Sequence, residues 1–275
     1  MNATMLASDL GFPEGPVVMP DSRIVFCDGN TGELLVWDGE QIGTYAATGG
    51  SPWGAILGTD GCVYVCQGGD VPGSGTTGQV CGIQRVSPDG HTEMILATLA
   101  GHSFGGPNDL CWGPDGRLYF TDSEDERLFV VAPDGTGEML AHLPGVYPNG
   151  IAFDQAGVLY WSESRRHRMM RMVDDSPQVF CQLPDTHVPD GFAFAADGRL
   201  FVCNTTAGGL SVLSDDGKVL DEIVLDEHAT NCIFDGSSLY VTATRVADLD
   251  ANQRTGSFWR VETDASGGFL HTGRL

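Results

Sequence analysis

"NDLCWGPDGRLYFTD", Asn108 to Asp122, is an apolar run, a Pro-Asp-Gly turn and a second apolar run closed by a small and an acidic residue. Short runs rich in Leu, Tyr, Phe and Trp around such a turn read as a β-hairpin. The same pattern occurs six times. The other copies are "EGPVVMPDSRIVFCD" from Glu14, "WGAILGTDGCVYVCQ" from Trp53, "NGIAFDQAGVLYWSE" from Asn149, "DGFAFAADGRLFVCN" from Asp190 and the shorter "TNCIFDGSSLYVTA" from Thr230. They recur at a period of about 40 residues, with a longer step between the second and third where a Gly-rich insertion lies. Each unit then supplies one or two further strands, such as "ERLFVVAPDG" and "GLSVLSDDGK". About four strands per repeat is one propeller blade. The expectation is all-β: a six-bladed β-propeller with about four antiparallel strands per blade, one domain over residues 1–275. A solenoid of similar period fits less well, because helical periodicity is absent.

Composition agrees with this reading. A chain of 275 residues with 41% hydrophobic content can bury a large core, and its 38 glycines match a fold with many turns. Against 37 Asp and Glu stand 14 Lys and Arg, and the formal charge of −23 repels phosphate backbones and anionic lipid. No nucleic-acid or membrane partner is expected. "MNATMLASDLGFPEG" lacks a basic segment followed by an apolar core, and no later run approaches a membrane span, so a soluble cytoplasmic protein is expected. In the repeat register Cys27, Cys66 and Cys203 share a slot with Thr121, Ser162 and Thr242. That slot takes small packing residues, with the thiols reduced.

Three motif matches fail on context. Gly101, Ser103 and Gly105 have the spacing of a nucleophile elbow, but a strand follows Pro107 where a helix is needed. "GSGTTG", Gly73 to Gly78, resembles a dinucleotide fingerprint but precedes the strand-like "GIQRV", and reads as a hairpin loop. "DLDANQRTGSFW", from Asp248, has Gln253 and Trp259 where a calcium loop requires Gly and Glu.

The chemistry lies in the first position of the repeats: Glu14, Trp53, Asn108, Asn149, Asp190 and Thr230, all but Trp53 oxygen-bearing. Innermost strands line a propeller's channel, so these groups converge on the axis. Asn and Asp also cap turns, which accounts for any one copy but not for Glu14 joining the column. Carboxylates crowded at a tunnel mouth are costly without a cation. Two carboxylates and two amides form a hard oxygen set, suited to Ca²⁺, Mg²⁺ or Mn²⁺ more than to Zn²⁺. One divalent ion, Ca²⁺ first, is therefore expected. Around the column, Trp53, His102, Phe104, Tyr147 and His187 are candidate substrate contacts, together with Phe12.

At these residues the sequence resembles the gluconolactonase, senescence marker protein and luciferin-regenerating enzyme family, through "FPEGPVV", "GGPNDLCWGPDGRLYFTDS", "YPNGIAFDQAGVLYWSES", "VPDGFAFAADGRLFVCN", "ATNCIFDGSSLYVTATR" and "TGSFWRVET". The resemblance implies a divalent metal held by Glu14, Asn149 and Asp190, with Asn108 a further ligand or a substrate contact, and a small-molecule lactone as substrate. Some gluconolactonases carry an Arg two residues before the third-blade Asn; this chain has Gly106. A cation polarises the lactone carbonyl, and Asp190 is the candidate general base, with water activated by the cation as the competing nucleophile. Hydrolysis of another ester, such as a phosphotriester, and non-catalytic binding are the alternatives.

Overall fold

In the computed structural model the backbone is described for residues 1–70, 78–248 and 253–275, and side chains are described outside 71–77 and 246–254. Most of the "GSGTTG" stretch and the first residues of "DLDANQRTGSFW" lie outside the described residues.

Among the described residues the strands form one small two-stranded ribbon and six four-stranded antiparallel sheets. Their innermost strands are Pro13–Val18, Pro52–Leu57, Pro107–Trp112, Pro148–Phe153, Pro189–Phe194 and His228–Asp235. In the first five blades, three later strands follow in simple up-and-down order. The sixth is built differently. After Ser238–Asp248 and Gln253–Glu262, its outermost strand is Asn2–Leu10, which pairs antiparallel with Gln253–Glu262. The first strand of the chain thus closes the ring against the last, and an edge that would otherwise offer unpaired N–H and C=O groups is covered.

Alternating apolar residues let each blade bury both faces against its neighbours. Phe201, Leu210 and Val212 of blade 5 pack on Val241 and Val261 of blade 6, while Tyr64 of blade 2 meets Trp112 of blade 3 edge to face at 5.1 Å. Each fully buried side chain of this size contributes about 1.5–3 kcal/mol. The repeat slot of small residues has a structural reason. Thr121 Oγ1 donates to Asn149 O (2.8 Å) and Ser162 Oγ to Asp190 O (2.8 Å), stitching one blade to the next, and Cys27, Cys66 and Cys203 fill the same place fully buried.

Beyond Glu262 the chain runs beneath the ring. Ala196 N donates to Ser266 O, Gly268 N to Phe194 O, Thr59 N to Gly273 O, and Leu275 N to Tyr64 Oη (2.8–3.1 Å). This strap ties blade 6 to blades 5 and 2. Among the described residues no helix is long and apolar enough to cross a membrane.

Candidate metal centre

Five innermost strands begin with proline, and the residue after it is the oxygen-rich column or Trp53. Proline has no N–H to give a ladder and suits a strand's first position. Immediately after it the pairing slips: between Glu14 and Val17, Pro107 and Leu110, Pro148 and Ile151, and Pro189 and Phe192. Such a slip turns the side chain out of the regular alternation. Here it turns the column toward the axis.

In blades 1, 2 and 3 the loops leading to the column are pinned by polar residues near the end of the second strand. Asp28 accepts Gly11 N (2.9 Å) and Phe12 N (3.0 Å) just before Glu14. Asp122 accepts Gly106 N (2.7 Å) ahead of Asn108, and Gln67 Oε1 accepts Ser51 N (2.7 Å) ahead of Trp53. Buried acceptors of this kind fix loop backbone that would otherwise leave its donors unpaired.

Glu14, Asn108, Asn149 and Asp190 line one cavity of about 430 Å³ at the channel mouth, together with Phe12, Trp53, Tyr147 and Glu124. Glu14 and Asp190 are buried, at 5% and 7% exposure. Glu14 Oε2 accepts Gly15 N (2.9 Å), yet burial and then the Asp109 carboxylate push its carboxyl up to about 8. Burial, followed by Glu14 and Asp109, holds Asp190 well above the usual carboxylate range, against the opposing pull of Gly191 N–H and the Asn149 amide. Asn149 Nδ2 also reaches Ser164 Oγ (3.4 Å), and that hydroxyl donates to Pro189 O (2.7 Å).

Not every column or flanking residue faces this cavity. Thr230 Oγ1 donates to Pro13 O (2.9 Å), closing the joint between blades 6 and 1. Phe104, His102 and His187 are engaged off the cavity wall. Phe104 is buried against Phe120 and Phe129, where an apolar ring is better placed than at a wet mouth. His102 sits on the small ribbon of Thr98–Leu99 and His102–Ser103, its ring 6.2 Å from Phe129. His187 turns outward, with Nε2 3.3 Å from Glu222 Oε1. Ser103 leads by loop into the strand from Pro107, with no helix after it.

Two residues under the column escaped the sequence reading. The second repeat position is Gly15, Gly54, Asp109, Gly150, Gly191 and Asn231. Blades crowd here, so that a Cβ on Gly54 would lie 2.5 Å from Asp109 Oδ1, and one on Gly191 2.4 Å from Asn231 Oδ1. The glycines make room for two polar side chains. Asn231 Oδ1 accepts Cys232 N (2.8 Å), which leaves its Nδ2 to donate to both Glu14 and Asp109. Asp109 is held by Leu110 N (2.9 Å), and burial pushes it up to about 6. Both residues also line a second cavity of about 370 Å³ at the opposite end of the channel, among Leu110, Ile151, Phe192 and Phe234. The signal was present as two polar exceptions in a glycine column. Outer-shell partners of this kind typically govern metal affinity by 10–100-fold. Asn231→Leu is therefore expected to weaken Ca²⁺ binding by about that factor in calorimetric titration of metal-free protein, and an unchanged Kd would show that Asn231 does not orient Glu14.

Among the described residues no three His, Cys, Asp or Glu side chains form a metal cluster, so a cation here must rely on amide oxygens beside the two carboxylates. The donor set fits a hard dication. Two buried carboxyls, Glu14 raised by burial and the Asp109 charge and Asp190 by burial and the charges of Glu14 and Asp109, lack a basic partner on the cavity wall, and Asn108 and Asn149 stand beside them.

Known proteins agree on the architecture. A gluconolactonase of Zymomonas mobilis subsp. mobilis is 24% identical over 302 aligned residues, covering 87% of this chain and 78% of that protein. Among solved structures, a gluconolactonase from Xanthomonas campestris superposes with a TM-score of 0.79 at 22% identity, covering 94% of this chain and 88% of its own. A calcium-binding regucalcin from Agrobacterium tumefaciens gives 0.80 at 18% identity, covering 100% and 98%. Residues 12–245, which include every member of the oxygen-bearing column, match the model of the SMP-30/Gluconolactonase/LRE-like region, and the chain belongs to that family.

Proposed function

We propose that the protein is a divalent-metal-dependent lactonase that opens the ring ester of a sugar lactone or related lactone. The observation that carries this is the meeting of Glu14 and Asp190, buried carboxylates from blades 1 and 5, with Asn108 and Asn149 on one cavity. Glu14, Asn149 and Asp190 would hold the ion, with Asn108 as a fourth ligand or a contact to substrate. Ca²⁺ suits these oxygens best, ahead of Mg²⁺, Mn²⁺ or Zn²⁺, and the calcium-binding regucalcin has the same fold. When bound, the ion supplies a Lewis acid for the lactone carbonyl.

The protein's own groups do the rest. Trp53, braced edge-on by Phe12 at 5.2 Å, offers a flat wall for the ring of the substrate, and Tyr147 lines the same mouth. Asp190, steadied by the Asn149 amide, takes a proton from the attacking water as its oxygen bonds to the acyl carbon. As the ring C–O bond breaks, the same carboxyl returns that proton to the departing alkoxide. The product is a hydroxy acid.

Metal analysis followed by a lactone panel tests this reading. One divalent ion per chain is expected, with hydrolysis abolished by chelation and restored by Ca²⁺. Metal-dependent turnover of phosphotriesters but of no lactone would move the protein to another ester, and the absence of any stoichiometric metal would end the proposal.

A further inference from the structure

Resting on the lactonase reading, the geometry points to a charge filter at the mouth: Glu124 reserves the site for uncharged, hydroxyl-bearing lactones and turns away those carrying a phosphate or carboxylate. The charged side chains on the cavity wall are Glu14, Asp70, Glu124 and Asp190, all acidic; among the described residues no Lys, Arg or His joins them. A dication balances Glu14 and Asp190. Glu124 then leaves the entrance negative.

Glu124 is placed by its surroundings. Gly106, two residues before Asn108, has no side chain, and a Cβ built there would lie 3.0 Å from Glu124 Cγ, so the acid's stem lies across the space a larger residue would take. On the other side Tyr147 Oη donates to Glu124 Oε1 at 3.5 Å. Among the described residues no ion pair reaches it, and the arginine on this rim is engaged elsewhere. Arg165 stacks on the Tyr147 ring, 4.9 Å from its centroid, and pairs with Glu126 at 2.8 Å.

A carboxylate at this position accepts hydrogen bonds from substrate hydroxyls, which are donors, and repels an anionic substituent on the same ring. The chain's charge of −23 adds a long-range field of the same sign. It also acts on the product. Ring opening creates a carboxylate in a negative mouth, which favours its departure.

The test compares glucono-1,5-lactone with its 6-phosphate, a pair differing in one charged group. Wild-type protein is expected to prefer the neutral lactone in kcat/KM by at least about 100-fold, and Glu124→Gln to shrink that ratio at least about tenfold. Glu138→Gln, the same charge change on the exposed outer strand of that blade, leaves the ratio where it was. Equal use of both lactones by wild type, or a ratio that Glu124→Gln does not move, overturns the filter. Calorimetric binding of the corresponding lactams, which do not hydrolyse, separates the two ideas. A preserved preference without any lactone turnover indicts the reaction, whereas equal lactam binding indicts the filter.

Discussion

Asp190→Asn cripples lactone hydrolysis, with kcat about 10²–10⁴-fold lower, while the metal-free variant melts a few degrees above metal-free wild type. The first effect follows from removing the group assigned to carry the proton, a role worth about 10²–10⁴ in rate. The second follows from relief of charge crowding, since Asp190 is buried and the Glu14 and Asp109 carboxylates raise it further. Asn has nearly the same shape and still accepts from Asn149, so packing is kept. Affinity for Ca²⁺ falls as well, because one of two anionic ligands is gone. Activity, metal titration and thermal melting check the three parts. A variant that hydrolyses lactones at a wild-type rate would remove Asp190 from the reaction.

Chelation is expected to lower the melting temperature by about 5–10 °C at pH 8 and by no more than about 2 °C at pH 5. In the metal-free protein burial and the Asp109 carboxylate let Glu14 hold its proton up to about 8, against an ordinary 4.5, and Asp190 lies well above the usual carboxylate range. A carboxyl raised on folding means that the folded state binds more protons, so stability is fullest below the unfolded value and declines as pH climbs. For Glu14 that decline runs from about 4.5 to about 8. An ion binds the ionised pair, so its stabilisation grows across the same window. Scanning calorimetry with and without chelator at the two pH values reads the difference. Equal losses at both would mean that the buried pair is not where the ion binds.

The fold was legible because its evidence repeats. Every innermost strand begins within two residues of the position marked by the six-fold pattern, since the alternation that buries a blade's inner strand is imposed six times over. The column of Glu14, Asn108, Asn149 and Asp190 was legible for the same reason. Asn2–Leu10 was not. It is largely exposed, carries no repeat signature, and owes its strand to a partner some 250 residues away. Phe104 and His187 flank the column in sequence, but a Gly-rich loop folds the one into the core and Glu222 draws the other outward. Adjacency along the chain does not set direction in loops. Asp109 and Asn231 acquire their meaning only when blades 3 and 6 are brought to a common axis, which no single repeat contains.

The ring's clasp sets an order on biosynthesis. On the ribosome residues 2–10 emerge with no strand to join, while blades 1 to 5 can each assemble from contiguous chain as it appears. Residues 2–10 stay unmated until Gln253–Glu262 leaves the exit tunnel, and a nascent chain halted before that point carries an open edge at each end of its arc.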